Sequence, residues 1–430
     1  MRMTAITLSD DFNYALDRME EGSNLFITGR AGTGKSTLLR IFRQTTKRKC
    51  VVLAPTGVAA LNVQGQTIHS FFGFPPRLLQ PHDVKPNRRN YRIFEAMEIL
   101  IIDEISMVRA DVMDAINIGL QINRRNSEPF GGVQIVFFGD LYQLPPVVSS
   151  EAERLYFRET YASQYFFSAD CLDDIELEMI ELRQVYRQDS RYFLRLLEGI
   201  RNATIDMDDL EDLNQRHKPD YDTSGQNYLT LAARNAKVNS INAKELDALV
   251  NPVHTYLAEI KGNFPERLYP TDAAIQLKEG AQVMTLRNDT DKRYVNGTIG
   301  TITKCKPETI MILTGEGDQE REIEVGYEEW DIIRYNMDLS KPGEIGTESI
   351  GTFKQLPVRL AWAVTIHKAQ GKTFDKVVID LGSGAFESGQ TYVALSRCRS
   401  LDGIILSSPI RPRDVMVDPA IVEWYSMMRR

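Results

Sequence analysis

Apolar residues gather along this chain in short, almost unbroken runs: Leu25-Phe26-Ile27, Val51-Val52-Leu53, Ile99-Leu100-Ile101-Ile102 and Ile135-Val136-Phe137-Phe138. Such runs predict strands covered on both faces, as in the parallel sheets of α/β folds. Tyr228-Leu229-Thr230-Leu231, Val377-Val378-Ile379-Asp380 and Ile404-Ile405-Leu406 predict further strands, with helices between them. Ala281–Leu286 and Gly297–Ile302 alternate with turns instead, which predicts short antiparallel strands. Arg183, Arg187, Arg191 and Arg195 recur every four residues, with Leu182, Val185, Tyr186, Phe193, Leu194, Leu196 and Leu197 on the other faces. That spacing predicts a helix with a basic stripe, and Arg191 and Arg195 read as its solvated side.

Composition narrows the class without naming a partner. The 430 residues exceed one compact core and imply two to four domains. No apolar run approaches the roughly 20 residues of a membrane span. Met1-Arg2-Met3-Thr4 opens no signal-peptide core. Cys50, Cys171, Cys305 and Cys398 lack metal-ligand spacing, which fits a reduced compartment and no zinc site. A cytoplasmic, nucleoid-associated protein is expected. The net charge of -8 speaks weakly against nucleic acid. Local basic groups at Arg40, Arg43, Lys47, Arg48 and Lys49, and at Lys85, Arg88 and Arg89, leave that question open.

Chemistry enters at the C-terminal ends of the strands. After Leu25-Phe26-Ile27 the chain reads G-R-A-G-T-G-K-S over Gly29–Ser36, a phosphate loop between a strand and a helix predicted to begin near Thr37. Gly32, Thr33, Gly34, Lys35, Ser36 and Thr37 are the expected triphosphate contacts, through backbone N–H groups and the Lys35 charge. Ser36 offers its hydroxyl to Mg²⁺. The next apolar run ends in Asp103-Glu104, where Asp103 is placed to hold Mg²⁺ through water and Glu104 to deprotonate the attacking water. A third run ends in G-D-L-Y-Q-L-P-P, which puts Gln143 in position to sense the γ-phosphate. A nucleoside triphosphate with Mg²⁺ is therefore the expected ligand.

The ordered set G-R-A-G-T-G-K-S, A-P-T-G-V-A-A, I-I-D-E-I-S, G-D-L-Y-Q-L-P-P, R-Q-V-Y-R-Q, T-I-H-K-A-Q-G-K-T and Y-V-A-L-S-R resembles superfamily-one DNA helicases. The branch is that of the petite-integration-frequency helicases, related to RecD and Dda, which move 5′→3′ on single-stranded DNA. Glu181–Gln188 looks like the branch's signature segment. The resemblance implies two RecA-like phosphate-loop NTPase domains with parallel sheets, the nucleotide lying in the cleft between them. A small pin and an SH3-like β-barrel are inserted. The implied boundaries are 1–180 for the first domain, with the pin at about 66–90. The second domain takes 181–250 and 351–430, and the barrel 251–350. Arg187 and Arg397 match the family's arginine fingers, and Gly371 its contact near the γ-phosphate. The upstream glutamine that reads adenine is missing, and Asn13 is the nearest amide.

The same resemblance raises a DNA track. Pro55, Thr56 and Gly57 end a strand and can hold phosphates without added charge. His69 and Phe72 follow in the first domain, and Thr365, His367 and Lys368 form the counterpart in the second. Phe74, Pro75 and Pro76 would split duplex ends from the pin, with an ordinary surface loop as the plainer reading. Single-stranded DNA and its junctions with duplex are the expected partners, without a membrane, and the protein is expected to be monomeric or weakly self-associating. The expected activity is ATP-dependent 5′→3′ unwinding, with a translocase that does not unwind, or a nucleotide switch, as alternatives. The short leader and tail suggest a minimal bacterial-type core.

Overall fold

The computed structural model describes residues 9–148, 150–188, 190–223, 225–289, 291–315, 317, 320–337 and 344–429. The opening Met1–Thr4 lies outside them. The chain divides into two compact units. The first is Met1–Tyr186 with Ile332–Ile350 and Asp418–Arg430, and the second is Arg187–Asp331 with Gly351–Val417. No described helix is long and apolar enough to cross a membrane.

The first unit is built on a six-stranded sheet. Its strands are β1 (Leu25–Gly29), β2 (Cys50–Ala54), β3 (Gln66–Thr67), β4 (Ile99–Ile102), β5 (Gln134–Phe138) and β6 (Glu178–Leu182), in the order β3-β2-β4-β5-β1-β6. Every pairing is parallel. All residues of β1, β4 and β5 are buried, as uninterrupted apolar runs require of central strands. The register sets Ile27 beside Phe138 and Leu53 beside Ile102, so the C-terminal ends of these strands share one edge. The helix after β1 spans Lys35–Thr45, two residues earlier than its sequence suggests, and buries Leu38, Leu39 and Phe42.

Four expectations are corrected here. The boundary at 180 falls inside β6, an edge strand whose half-buried pattern hides it in the sequence. Residues 183–188 are not helical, and the helix runs Arg191–Arg201 from a Ser190 cap, so Arg183 and Arg187 leave the basic stripe. The pin is packed rather than projecting: Gln66-Thr67 join the sheet, and the Leu79 N–H donates to Asp111 Oδ2 at 2.8 Å. Lastly, the helix Pro419–Met428, assigned above to the second domain, belongs to the first unit. Its Trp424 ring lies 5.1 Å from that of Phe26 on β1.

The second unit holds a four-stranded parallel sheet in the order Ala363–Thr365, Leu229–Ala232, Val377–Asp380, Ile404–Leu406. Between its strands in sequence lie the antiparallel ones, with a core around Tyr256, Val283, Ile312, Val325 and Val358. The expected end of that insertion at 350 cuts the strand Ile345–Gln355, and Val358–Leu360 still pairs with Gln282–Thr285. Residues 332–350 of the expected barrel belong to the first unit. There the buried Tyr335 hydroxyl accepts from the Val52 N–H at 2.9 Å and donates to the Val52 carbonyl at 3.2 Å. One side chain thereby completes β2 where the two-residue β3 leaves it unpaired.

Candidate functional site

The loop after β1 needs its glycines for two reasons. Gly29, Gly32 and Gly34 have φ of 147°, 85° and 88°, in the region that side chains disfavour. A Cβ at Gly29 would also stand 2.6 Å from the Leu182 carbonyl oxygen, and one at Gly34 2.8 Å from the Phe12 ring. Lys35 Nζ donates to the carbonyls of Gly29 at 2.5 Å and Arg30 at 3.0 Å, and the buried Thr33 hydroxyl donates to Arg30 O at 2.9 Å. Ser36 and Thr37 stand in the first turn of the helix, whose positive dipole end faces the loop.

The ends of β4 and β5 bring the acids and the amide to the same edge. Asp103 is 8% exposed; burial, then the neighbouring Glu104 charge, push it up to about 7, against the pull of Lys35. Glu104 takes φ 50°, a left-handed conformation that a glutamate adopts only at a cost of order 1–3 kcal/mol. Gln143 is buried, with its Nε2 3.3 Å from Asp140 Oδ2. The Gly139 N–H donates to Ile27 O at 3.2 Å, which ties this loop to the strand that carries the phosphate loop.

Three aromatic residues escaped the sequence reading. The Tyr425 hydroxyl lies 2.8 Å from Thr28 Oγ1, one residue before the phosphate loop. Its ring stacks on Tyr142, beside Gln143, at 5.1 Å and 18°. Tyr186 donates its N–H to Gly32 O at 2.9 Å, is 53% exposed, and meets Phe12 edge-on at 6.5 Å. Phe12 and Tyr186 flank Gly34, whereas Asn13 is exposed on its helix. Tyr186 was within reach, since it lies in the signature segment itself. Tyr425 carries no local signal.

The second unit gathers cations. Arg187 Nη1 donates to Ser396 O at 3.0 Å; burial, then the Arg397 charge, lower its pKa to about 9. Arg397 is fully buried, donating to Val393 O at 2.9 Å and Ser396 Oγ at 2.8 Å. Gly371 has φ 77°, which explains the glycine at the turn before Lys372. Lys372, not singled out by sequence, is lowered to about 7 by burial and then by Arg359, Arg397 and Lys368. The two expected fingers therefore converge.

The expected DNA contacts divide. Thr56 caps the helix Gly57–Asn62 through Ala59 N at 3.2 Å, and Thr365 caps Ile366–Ala369 through Lys368 N at 3.3 Å. Pro55, Gly57 and His69 are half-buried, and Lys368 is exposed. His367 Nε2 lies 3.3 Å from Glu387 Oε2. Phe72 and Phe74 are corrected: at 5% and 7% exposure they stack on each other, 5.0 Å apart at 11°, in a cluster with Phe71 and Phe94. Their rings belong to the core. Pro75 is half-buried and Pro76 exposed.

This geometry has counterparts. The family model of the PIF1-like helicases matches residues 8–211. The Pif1 helicase of Bdellovibrio bacteriovorus is 31% identical over 99% of this chain and 93% of its own length. Bacteroides sp Pif1 in complex with ADP-AlF4 superposes with a TM-score of 0.91 at 35% identity, covering 99% of this chain and 97% of that one. Bacteroides Pif1 bound to single-stranded DNA gives 0.70 at 37% identity, covering 98% and 97%. The chain spans 64 to 65% of the length of the vertebrate relatives it matches. By its motifs, its fold and its near full-length likeness to the Bdellovibrio protein, this chain belongs to the PIF1-like helicase family.

Proposed function

We propose that this chain is an ATP-dependent DNA helicase that travels 5′→3′ on single-stranded DNA and separates duplex at its junctions. One observation carries the reading. The phosphate loop, the Asp103-Glu104 pair and Gln143 end three neighbouring parallel strands of one sheet. In such sheets the ligand lies at the C-terminal strand ends.

The residues then take distinct parts. The loop amides and Lys35 bind the phosphates, Phe12 and Tyr186 border the base, and Glu104 accepts a proton from the attacking water. The water oxygen bonds to the γ-phosphorus as the bond to the bridging oxygen breaks, releasing ADP and phosphate. Arg187 and Arg397, with Gly371 beside them, stabilise the charge that develops. Ser36 and Asp103 are the donors that would hold Mg²⁺. One hydroxyl and one carboxylate with an acidic neighbour suit an ion that keeps most of its waters. Bound there, Mg²⁺ neutralises phosphate charge. Gln143 reports the state of the γ-phosphate. Thr56 with Pro55, Gly57 and His69, and Thr365 with His367 and Lys368, alternate their grip on the strand. We place the protein in the cytoplasm near the nucleoid, as a monomer or a weak self-associate on DNA.

The test is unwinding of matched duplexes with a single-stranded tail on the 5′ or the 3′ side, with Lys35→Ala as control. Unwinding from the 5′ tail alone is expected, and activity from the 3′ tail alone would reverse the polarity. Burial of Phe74 favours a second reading, a translocase that strips or remodels without separating strands. DNA-stimulated ATPase without unwinding from either tail would select it.

A further inference from the structure

In the second unit a cavity of about 390 Å³ opens between the helix Asn235–Ala248, the segment from Thr271, and Arg359–Lys368. That volume lies within the roughly 300–1,000 Å³ of small-ligand sites. Val238, Ile275 and Val364 make its floor apolar, and Arg359, Asp272 and Lys368 give it charge of both signs. Arg359 is the unusual member. Its Nη2 donates to Pro270 O at 2.5 Å, while its Nε is buried without a hydrogen-bond partner. A buried donor of this kind is rare in native structures and needs an explanation. Asp272 is near enough to act electrostatically on both Arg359 and Lys368, but no ion pair is recorded between it and either cation among the described residues.

We propose that this cavity is a guanine pocket, which takes one base of the strand whose backbone lies on Thr365–Lys368. The inference deepens the proposed function and rests on its reading of that segment as DNA track. A bare phosphate would lie beside the Asp272 carboxylate and be repelled. A guanine satisfies both signs at once: N7 and O6 accept from the arginine fork, while N1–H and the N2 amine donate to a carboxylate. Thymine has one ring N–H to give, adenine has no carbonyl for the arginine, and cytosine offers the carboxylate its N4 amine alone where guanine offers N1–H and the N2 amine together. The apolar floor suits a base face, and Lys368 at the rim suits the adjoining phosphate.

The test is fluorescence anisotropy with dT12 and with dT12 carrying one dG or one dA at each position. It compares the full chain with Arg359→Met and Asp272→Asn at fixed salt. One dG placement should tighten binding about tenfold, in line with a good bidentate base contact. Both variants should lose that gain and keep the dT12 affinity within twofold. Asp272 is exposed, so Asp272→Asn keeps the test valid should Arg359→Met fold poorly. No gain from any dG, or an equal gain from dA, would overturn the pocket. Inorganic phosphate that abolishes the dG gain while sparing dT12 would make it an anion seat and overturn it too. Failure to bind dT12 at all would sink the DNA reading instead, which separates the two conclusions.

Discussion

The two parallel sheets solve the same local problem and carry opposite electrostatic burdens. Each turns at a strand end into a short helix capped by a threonine, Thr56 in the first unit and Thr365 in the second. Only the first has the glycine loop. Its functional edge holds a carboxylate raised to about 7 by burial and Glu104. The second gathers Arg187 and Lys372, lowered to about 9 and about 7 mainly by burial, with neighbouring cations adding to the shift. Each unit alone is frustrated, in opposite senses. A ligand that supplies counter-charge to such a group favours whichever state it binds better, which is how a binding event can bias a two-state element.

The largest effect expected from breaking this arrangement is at Arg397. Arg397→Ala should keep nucleotide binding and lose turnover by about 10³ or more, the scale of an arginine finger. Nucleotide affinity by fluorescence titration and steady-state ATPase separate the two. Near-normal ATPase would take Arg397 out of the chemistry. The side chain is buried, so a thermal melt must accompany the rates.

A second prediction concerns the segment expected to act as a pin. A core phenylalanine cut to alanine costs about 3–5 kcal/mol, and Phe74 stacks on Phe72 within such a cluster. Phe74→Ala should therefore lower the melting temperature and the ATPase together. A wedge that meets only DNA would lose unwinding with the melt unchanged, and that result would restore the pin. Pro76, exposed at the same turn, is the matched control.

The contrast also explains what could be read in advance. Strands β1, β4 and β5 were legible because burial on both faces leaves no polar position to interrupt the run. The phosphate loop and Asp103-Glu104 were legible because each follows its strand directly, and Gln143 because it lies in the short loop that does. Helix Pro419–Met428 was not, because its partners Phe26, Thr28 and Tyr142 lie far back in the chain. For Tyr335, a single hydroxyl mends a short strand, and no periodicity records such an event. The arginine stripe misled because four residues of regular spacing straddle the passage from Tyr186 to Arg187 between units.

Tyr425 sharpens the first half of the comparison with a smaller effect. Tyr425→Phe keeps the stack on Tyr142 and leaves the buried Thr28 hydroxyl without this partner, at about 1–3 kcal/mol. Removing both polar groups in Tyr425→Phe with Thr28→Val should recover much of that stability, because neither atom is then left unpaired. ATPase that falls in the single variant and returns in the double one would make the bond a positioning device for the loop. Activity that stays down while the melt recovers would reject it.

The smallest effect tests the second unit's cations. Lys372 is lowered from 10.5 to about 7. Below pH 7 it is protonated folded and unfolded alike, so the penalty of its charge is full and constant. Between about 7 and 10.5 the folded state releases the proton and the unfolded state keeps it. The unfolded chain then binds more protons, so this group makes stability rise with pH across that window. Lys372→Met removes the charge outright. It should melt above the wild type at pH 7, and the gap should narrow by pH 9.5 as the wild type gains stability. A gap that is constant over this range would mean that Lys372 is not held at a depressed pKa. The strain among the cations would then rest on Arg187 and its buried neighbour Arg397.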